Sequence, residues 1–243
     1  HDALDANYPN GILTEKFLKD HTVKILNDIS ANFSSALTEQ GMQEGKNYLS
    51  LQIAQKITKD FLSLEKRLIN KALADGKQIN IIGKEVELKH LINVDGIDFN
   101  LIGKADRVDL EGDILRIIDY KTGKVEQGEV SFAEYDEIVD NPKKAKAFQL
   151  LMYAYLYLKM NPQYLDKNVV AGNFSFKNLR NGLIKISRKI NKKNELLFIT
   201  ANVLDEFESQ LEVILTQIHN NDFVQTVDLK ACEWCDYKSI CNR

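Results

Sequence analysis

The residues best suited to chemistry lie in one stretch, Gly103-Lys-Ala-Asp106-Arg-Val-Asp-Leu-Glu-Gly-Asp-Ile-Leu-Arg-Ile-Ile-Asp119-Tyr-Lys121. Apolar and polar residues alternate through it, the pattern of half-buried strands. Gly112-Asp113 separates two such runs, and Gly in the first position of a two-residue loop suits a type II′ turn. That loop pairs Asp106 with Asp119 and Lys104 with Lys121. Val108, Leu110, Leu115 and Ile117 then share a face with Asp106, Asp119 and Lys121. Directly opposed side chains have Cβ atoms roughly 5 Å apart, where like charges repel. A divalent cation between the two acids reverses the sign of that interaction. Hard oxygen ligands suit Mg²⁺, which keeps several waters and also takes phosphate oxygens. Such an ion polarises a phosphate and lowers the pKa of a bound water. An adjacent lysine can orient that water or stabilise charge building on the phosphorus. The predicted chemistry is phosphodiester hydrolysis. An isolated Asp-x-Lys is usually a solvated strand with a local counter-ion. The facing acid sets this one apart, provided the loop is two residues long.

The elements that must position these groups follow from periodicity. From Gly11 to about Ala74 the pattern is helical, with Leu18, Val23, Ile25, Leu26 and Ile29 and then Ile53, Ile57, Phe61, Leu62 and Leu64 at helical spacing. A loop at 40–47 divides it, and Asp75-Gly76 ends it. Residues 81–91, 97–110 and 114–120 read as strands, with a turn at Asp95-Gly96. Residues 144–160 read as a helix closed by Asn161-Pro162. Residues 169–177 and 183–187 read as a hairpin around 178–182, and 199–220 as a final helix. The expected fold class is α/β, a central mixed sheet flanked by helices. It is expected as one domain over 1–243: a helical part (1–76), the sheet and its helices (77–220) and a Cys-rich tail (221–243).

Composition narrows the function classes. The 243 residues are 44% hydrophobic and 28% charged, ordinary values for a globular chain, and no apolar run is long enough to span a membrane. The net charge of −3 argues against coating nucleic acid by bulk charge, but leaves room for a local basic track. Residues 177–193 supply one: Lys177, Arg180, Lys185, Arg188, Lys189, Lys192 and Lys193, with no acid among them. All three cysteines fall in the last twelve residues, as Cys232-x-x-Cys235-x5-Cys241. That crowding predicts a metal clip in a reducing, cytoplasmic compartment rather than a secreted disulfide framework. A zinc site with His219 as a distant fourth ligand is one form of it. The absence of an initiator Met predicts a fragment of a longer protein.

Gly-x-x-Asp-Arg-x-Asp followed by Asp-Tyr-Lys-Thr-Gly resembles the PD-(D/E)xK nucleases of the RecB and AddB type. Gln149-Leu-Leu-Met-Tyr153 is similar to that family's Gln-x-x-x-Tyr motif, and His1-Asp2-x-Leu4-Asp5 to the start of its first motif. The cysteine tail is similar to the iron–sulfur tail of AddB and of CRISPR-associated nucleases. The motifs stand in the family's order and span the chain. The resemblance implies a restriction-endonuclease-like fold. It also implies Mg²⁺ or Mn²⁺ held by His1, Asp106, Asp119 and the backbone carbonyl of Tyr120, with Lys121 as the catalytic lysine. Gln149 and Tyr153, four apart on one helix face, would contact DNA and brace the site. Glu85 would be an accessory acid, with Glu87 competing for that role. Lys177, Arg180, Lys185 and Arg188 are candidate phosphate contacts. Cys232, Cys235 and Cys241 would hold a 4Fe–4S cluster in the intact protein, whose fourth cysteine this sequence lacks. The implied activity is digestion of single-stranded DNA ends, in the C-terminal part of an AddB-like repair protein partnered by a helicase. A stand-alone CRISPR-adaptation-type nuclease and an inactive DNA-binding scaffold of the same fold are the alternatives.

Overall fold

The computed structural model of the protein describes residues 7–35, 45–220, 229–233 and 235–241. Strand β1 (Gly11–Ile12) leads into helices α1 (Glu15–Ser35) and α2 (Gly45–Ala74). Strands β2 (Ile79–Val94), β3 (Ile97–Glu111) and β4 (Ile114–Lys121) follow as a meander. Then come β5 (Ser131–Phe132), α3 (Tyr135–Asp140), α4 (Ala145–Met160), β6 (Asn168–Ser175) and β7 (Leu183–Lys185). A small hairpin, β8 (Ser187–Ile190) and β9 (Lys193–Leu196), precedes α5 (Ala201–Asn220). Among the described residues no helix is long and apolar enough to cross a membrane.

The main sheet has the order β1-β2-β3-β4-β6-β7. Its one parallel pair is β4–β6; the others are antiparallel. A parallel pair needs a crossover, and α4 supplies it. The sheet is therefore mixed and covered by helices on both faces. Against one face, α1 and α2 bring Leu18, Ile25, Phe61, Leu64 and Ile69 onto Ile79, Ile118, Tyr120 and Phe174. Against the other, α4 and α5 bring Leu150, Leu151, Ala154, Phe207 and Leu211 onto Val108, Leu115, Ile117, Val169 and Ala171. Both predicted helix faces need trimming: Val23 is 67% exposed and Ile53 48%.

The strand boundaries expected for the meander hold to within a few residues, and so does the turn at Asp95-Gly96. The β3–β4 register is the predicted one: Glu111–Ile114, Leu110–Leu115, Val108–Ile117 and Arg107–Ile118 are partners. Gly112 has φ +60° while Asp113 stays out of the positive-φ region, as a type II′ loop requires. Elements missing from the sequence reading are short or unusually built. β1 and β5 have two residues each, too few for a period. The stretch after β7 is a hairpin forming a second sheet, β5-β8-β9, rather than a loop. Its turn is Asn191-Lys192, both at positive φ (51° and 65°), a type I′ turn without the usual glycine.

Since the β3–β4 turn sets which residues face one another, its glycine is a sensitive point. Gly112→Val forces a β-branched residue into the left-handed region. Urea unfolding is expected to show a loss of about 1–2 kcal/mol. A change under a few tenths of that would mean the loop can relax to another turn.

Candidate active site

Strand alternation sends Asp106 and Asp119 to the face covered by α4 and sends Arg107 and Ile118 to the face covered by α1 and α2. The paired β3–β4 register stops at Arg107–Ile118, one step before the two acids. There a side chain replaces the ladder: Asp106 Oδ2 accepts the Tyr120 backbone N–H at 2.5 Å. In an extended strand the N–H and C=O of one residue point to the same edge. The Tyr120 carbonyl therefore faces the side on which the Asp106 carboxylate stands.

Asp119 is 4% exposed. Its carboxylate accepts from Lys121 Nζ at 2.9 and 3.2 Å and from Asn173 Nδ2 at 2.7 Å. Asn173 is brought alongside by the parallel pairing of β4 with β6, in which it is the partner of Asp119. Burial pushes the Asp119 carboxyl above its ordinary range, and the Asp106 charge pushes it further, while Lys121 and Asn173 pull it down. Burial also raises Asp106, opposed by the Tyr120 N–H and Lys121. The two acids thus sense one another in a partly desolvated place beside one ammonium.

Gln149 and Tyr153 stand over this pair from α4. Gln149 Nε2 donates to Tyr153 Oη at 2.8 Å. The Tyr153 hydroxyl is raised by burial first, and by the charges of both Asp119 and Asp106. It therefore stays a neutral phenol within reach of their fields. Gly103 explains the approach: a Cβ there would lie 3.2 Å from Tyr153 Cε1 and 3.2 Å from Leu156 Cδ1. The glycine of Gly-x-x-Asp is the space that the tyrosine ring fills.

Glu85 falls opposite Asp106, between the Lys84–Arg107 and Val86–Ala105 pairs. It sits in the left-handed region (φ +52°) and pairs with Lys104. A non-glycine residue held there costs of the order of 1–3 kcal/mol, and such strain clusters at functional sites. Glu87 is two pairs further off, opposite Lys104, and exposed.

The remaining predicted residues divide. Lys177 and Arg180 are exposed, just past the end of β6, where the Phe176 N–H donates to the Lys121 carbonyl at 2.9 Å. Lys185 stands apart from the acids. It partners Gly172, which partners Ile118, so it belongs to the opposite face of the sheet from the acids. Burial and the neighbouring Arg116, Lys71 and Lys77 lower its pKa, against Glu111. Arg188 is likewise engaged elsewhere: its guanidinium lies 5.2 Å from the Phe132 ring and 4.8 Å from the Tyr135 ring, and 3.4 Å from Glu134. His1 lies outside the described residues. In the tail Cys232 is buried, Cys235 exposed and Cys241 half-buried. Among the described residues no three His, Cys, Asp or Glu side chains gather to hold a metal.

Sequence reasoning missed two supports. Asn173 carried no local signal, because its role depends on pairing across 54 residues. Arg107 and Asp109 were seen only as motif letters. Both are fully buried, in a charged cluster with Glu65 and Arg116 beneath the site.

A family model for the PD-(D/E)XK nuclease superfamily matches residues 13–242. The chain belongs to that superfamily. No curated protein matches it. A solved structure, that of SSO0001, matches at 16% identity, covering 96% of this chain and 98% of its own, with a TM-score of 0.31. So low a score carries no argument about the fold. Asp106, Asp119 and Lys121, the residues that carry the motif resemblance, lie together inside the matched span. Their donor set fits a hard divalent cation: two partly buried carboxylates, Asp119 raised further by Asp106, with a strand carbonyl on the same edge.

Both acids are held above the ordinary carboxylate range, so the stability they lend is full below about pH 4. It is lost as pH rises through their raised folded values. Without added metal, Asp119→Asn is expected to melt at or above the wild-type temperature at pH 7, an advantage that shrinks towards pH 4. Added Mn²⁺ should raise the wild-type melting temperature only. A metal-free variant less stable than wild type at pH 7 would show that the site does not disfavour its own charge.

Proposed function

We propose that this chain is a Mg²⁺- or Mn²⁺-dependent deoxyribonuclease domain that hydrolyses phosphodiester bonds at single-stranded DNA ends. The observation that carries the reading is the convergence of Asp106 and Asp119 beside Lys121, both raised by burial and Asp119 raised further by Asp106. Asp106, Asp119 and the Tyr120 carbonyl would hold the ion, with His1 as a further ligand drawn from the motif resemblance alone. When bound, the ion supplies an activated water and a polarised phosphate. Asn173 and Lys121 fix the Asp119 carboxylate in one orientation. Lys121, its side chain a quarter exposed, has Nζ protons left to give to a phosphate oxygen or to the attacking water. Tyr153, with its oxygen accepting from Gln149, keeps its own O–H to donate to the DNA backbone. Lys177 and Arg180 supply backbone charge at the end of the sheet.

The order of motifs supports a finer placement. It is that of a C-terminal nuclease domain in an AddB-like repair protein acting with a helicase as an exonuclease. The Cys232, Cys235 and Cys241 spacing supports an iron–sulfur cluster. No step of the reaction is assigned to it.

Labelled single-stranded DNA incubated with Mg²⁺ is expected to be degraded by the wild type. Asp119→Ala and Lys121→Ala should each be slower by about 10²-fold or more, and a chelator should stop the reaction. Equal rates in all three proteins would remove the enzyme reading.

A further inference from the structure

We propose that Glu65 and Arg107, buried on the far side of the sheet from the acids, are positioning residues that set the spacing of Asp106 and Asp119. The proposal rests on the metal-site reading above and names the device that builds that site.

The β3–β4 ladder ends at Arg107–Ile118, so backbone pairing does not reach the two acids. Arg107 takes over the task through its side chain. Its Nε donates to Asp109 Oδ2 at 2.6 Å, and Nη2 approaches the same oxygen at 2.5 Å. Nη1 lies 3.1 and 3.2 Å from the two Glu65 oxygens and 3.4 Å from Tyr120 Oη. The guanidinium thus touches its own strand, helix α2 and the side chain of β4's Tyr120. Tyr120 returns through the sheet: its backbone N–H is held by Asp106, the residue before Arg107. The contacts form a closed ring from Asp106 through the Tyr120 backbone and ring to the Arg107 guanidinium, and back along β3. Asp119 directly precedes Tyr120 in the sequence, so the ring fixes both acids relative to one another. Glu65 anchors it to a helix whose neighbouring residues Phe61, Leu64 and Ile69 are in the core.

The composition of this cluster argues for geometry rather than stability. Glu65, Arg107, Asp109 and Arg116 are at most 2% exposed, where packed apolar side chains would hold the fold at least as well. A planar, forked guanidinium specifies direction as well as attraction.

Tyr120→Phe opens the ring at one atom and leaves every charge and all the ring packing in place. Glu65→Gln keeps a hydrogen-bonding group of the same shape, and Glu65→Ala removes it. Mn²⁺ affinity should be measured by titration calorimetry without DNA, beside melting temperature and nuclease KM and kcat. Tyr120→Phe is expected to weaken Mn²⁺ binding about three- to tenfold, with melting temperature and KM for DNA unchanged. Glu65→Ala should weaken it more, and Glu65→Gln should recover most of the loss. Wild-type Mn²⁺ affinity in a folded Tyr120→Phe or Glu65→Ala protein overturns the positioning role but leaves the nuclease reading standing. A wild type that binds no Mn²⁺ and cleaves no DNA overturns both.

Discussion

Two carboxylates on neighbouring strands, partly removed from water, repel one another, and the fold has to hold them together without a ladder between them. Asp106 and Asp119 meet one step beyond the last paired residues of β3 and β4. Each is raised by burial, and Asp119 is raised further by Asp106. Several independent contacts restrain that pair. The Tyr120 N–H takes Asp106, Asn173 and Lys121 take Asp119, and Tyr153 closes over both from α4. A site held this way gives up some stability when empty and regains it when a cation neutralises the pair.

The two layers of helices divide the labour. The α4 layer supplies groups that face the reacting side, Gln149 and Tyr153, and meets β3 where Gly103 leaves room. The α2 layer supplies Glu65 and the aromatic packing of Phe61 around Tyr120. The span matched to the PD-(D/E)XK nuclease superfamily contains the acids and the lysine. The buried cluster under them shows how this chain keeps them in place.

Much of the reacting side was legible in the sequence because it depends on local geometry. A two-residue loop with glycine first fixes the register of β3 on β4, and that register puts Asp106 and Asp119 on one face, one step past the last pair. Helical spacing alone puts Gln149 beside Tyr153. What was not legible depends on pairings that local patterns do not encode. Asn173 reaches Asp119 only through a parallel pair, and Glu65 reaches Arg107 across 42 residues. The basic run is divided among surfaces for a related reason. Its charges were counted as one track, yet β7 and β8 belong to different sheets, Lys185 has its back to the acids, and Arg188 is spent on Phe132, Tyr135 and Glu134.

The most direct test is a crystal grown or soaked with Mn²⁺ and examined by anomalous scattering at the manganese edge. The account predicts a peak between the Asp106 and Asp119 carboxylates, at the Tyr120 carbonyl edge and beside Lys121. Saturating Mn²⁺ with no peak there, or with the two carboxylates turned to separate ions, would contradict it.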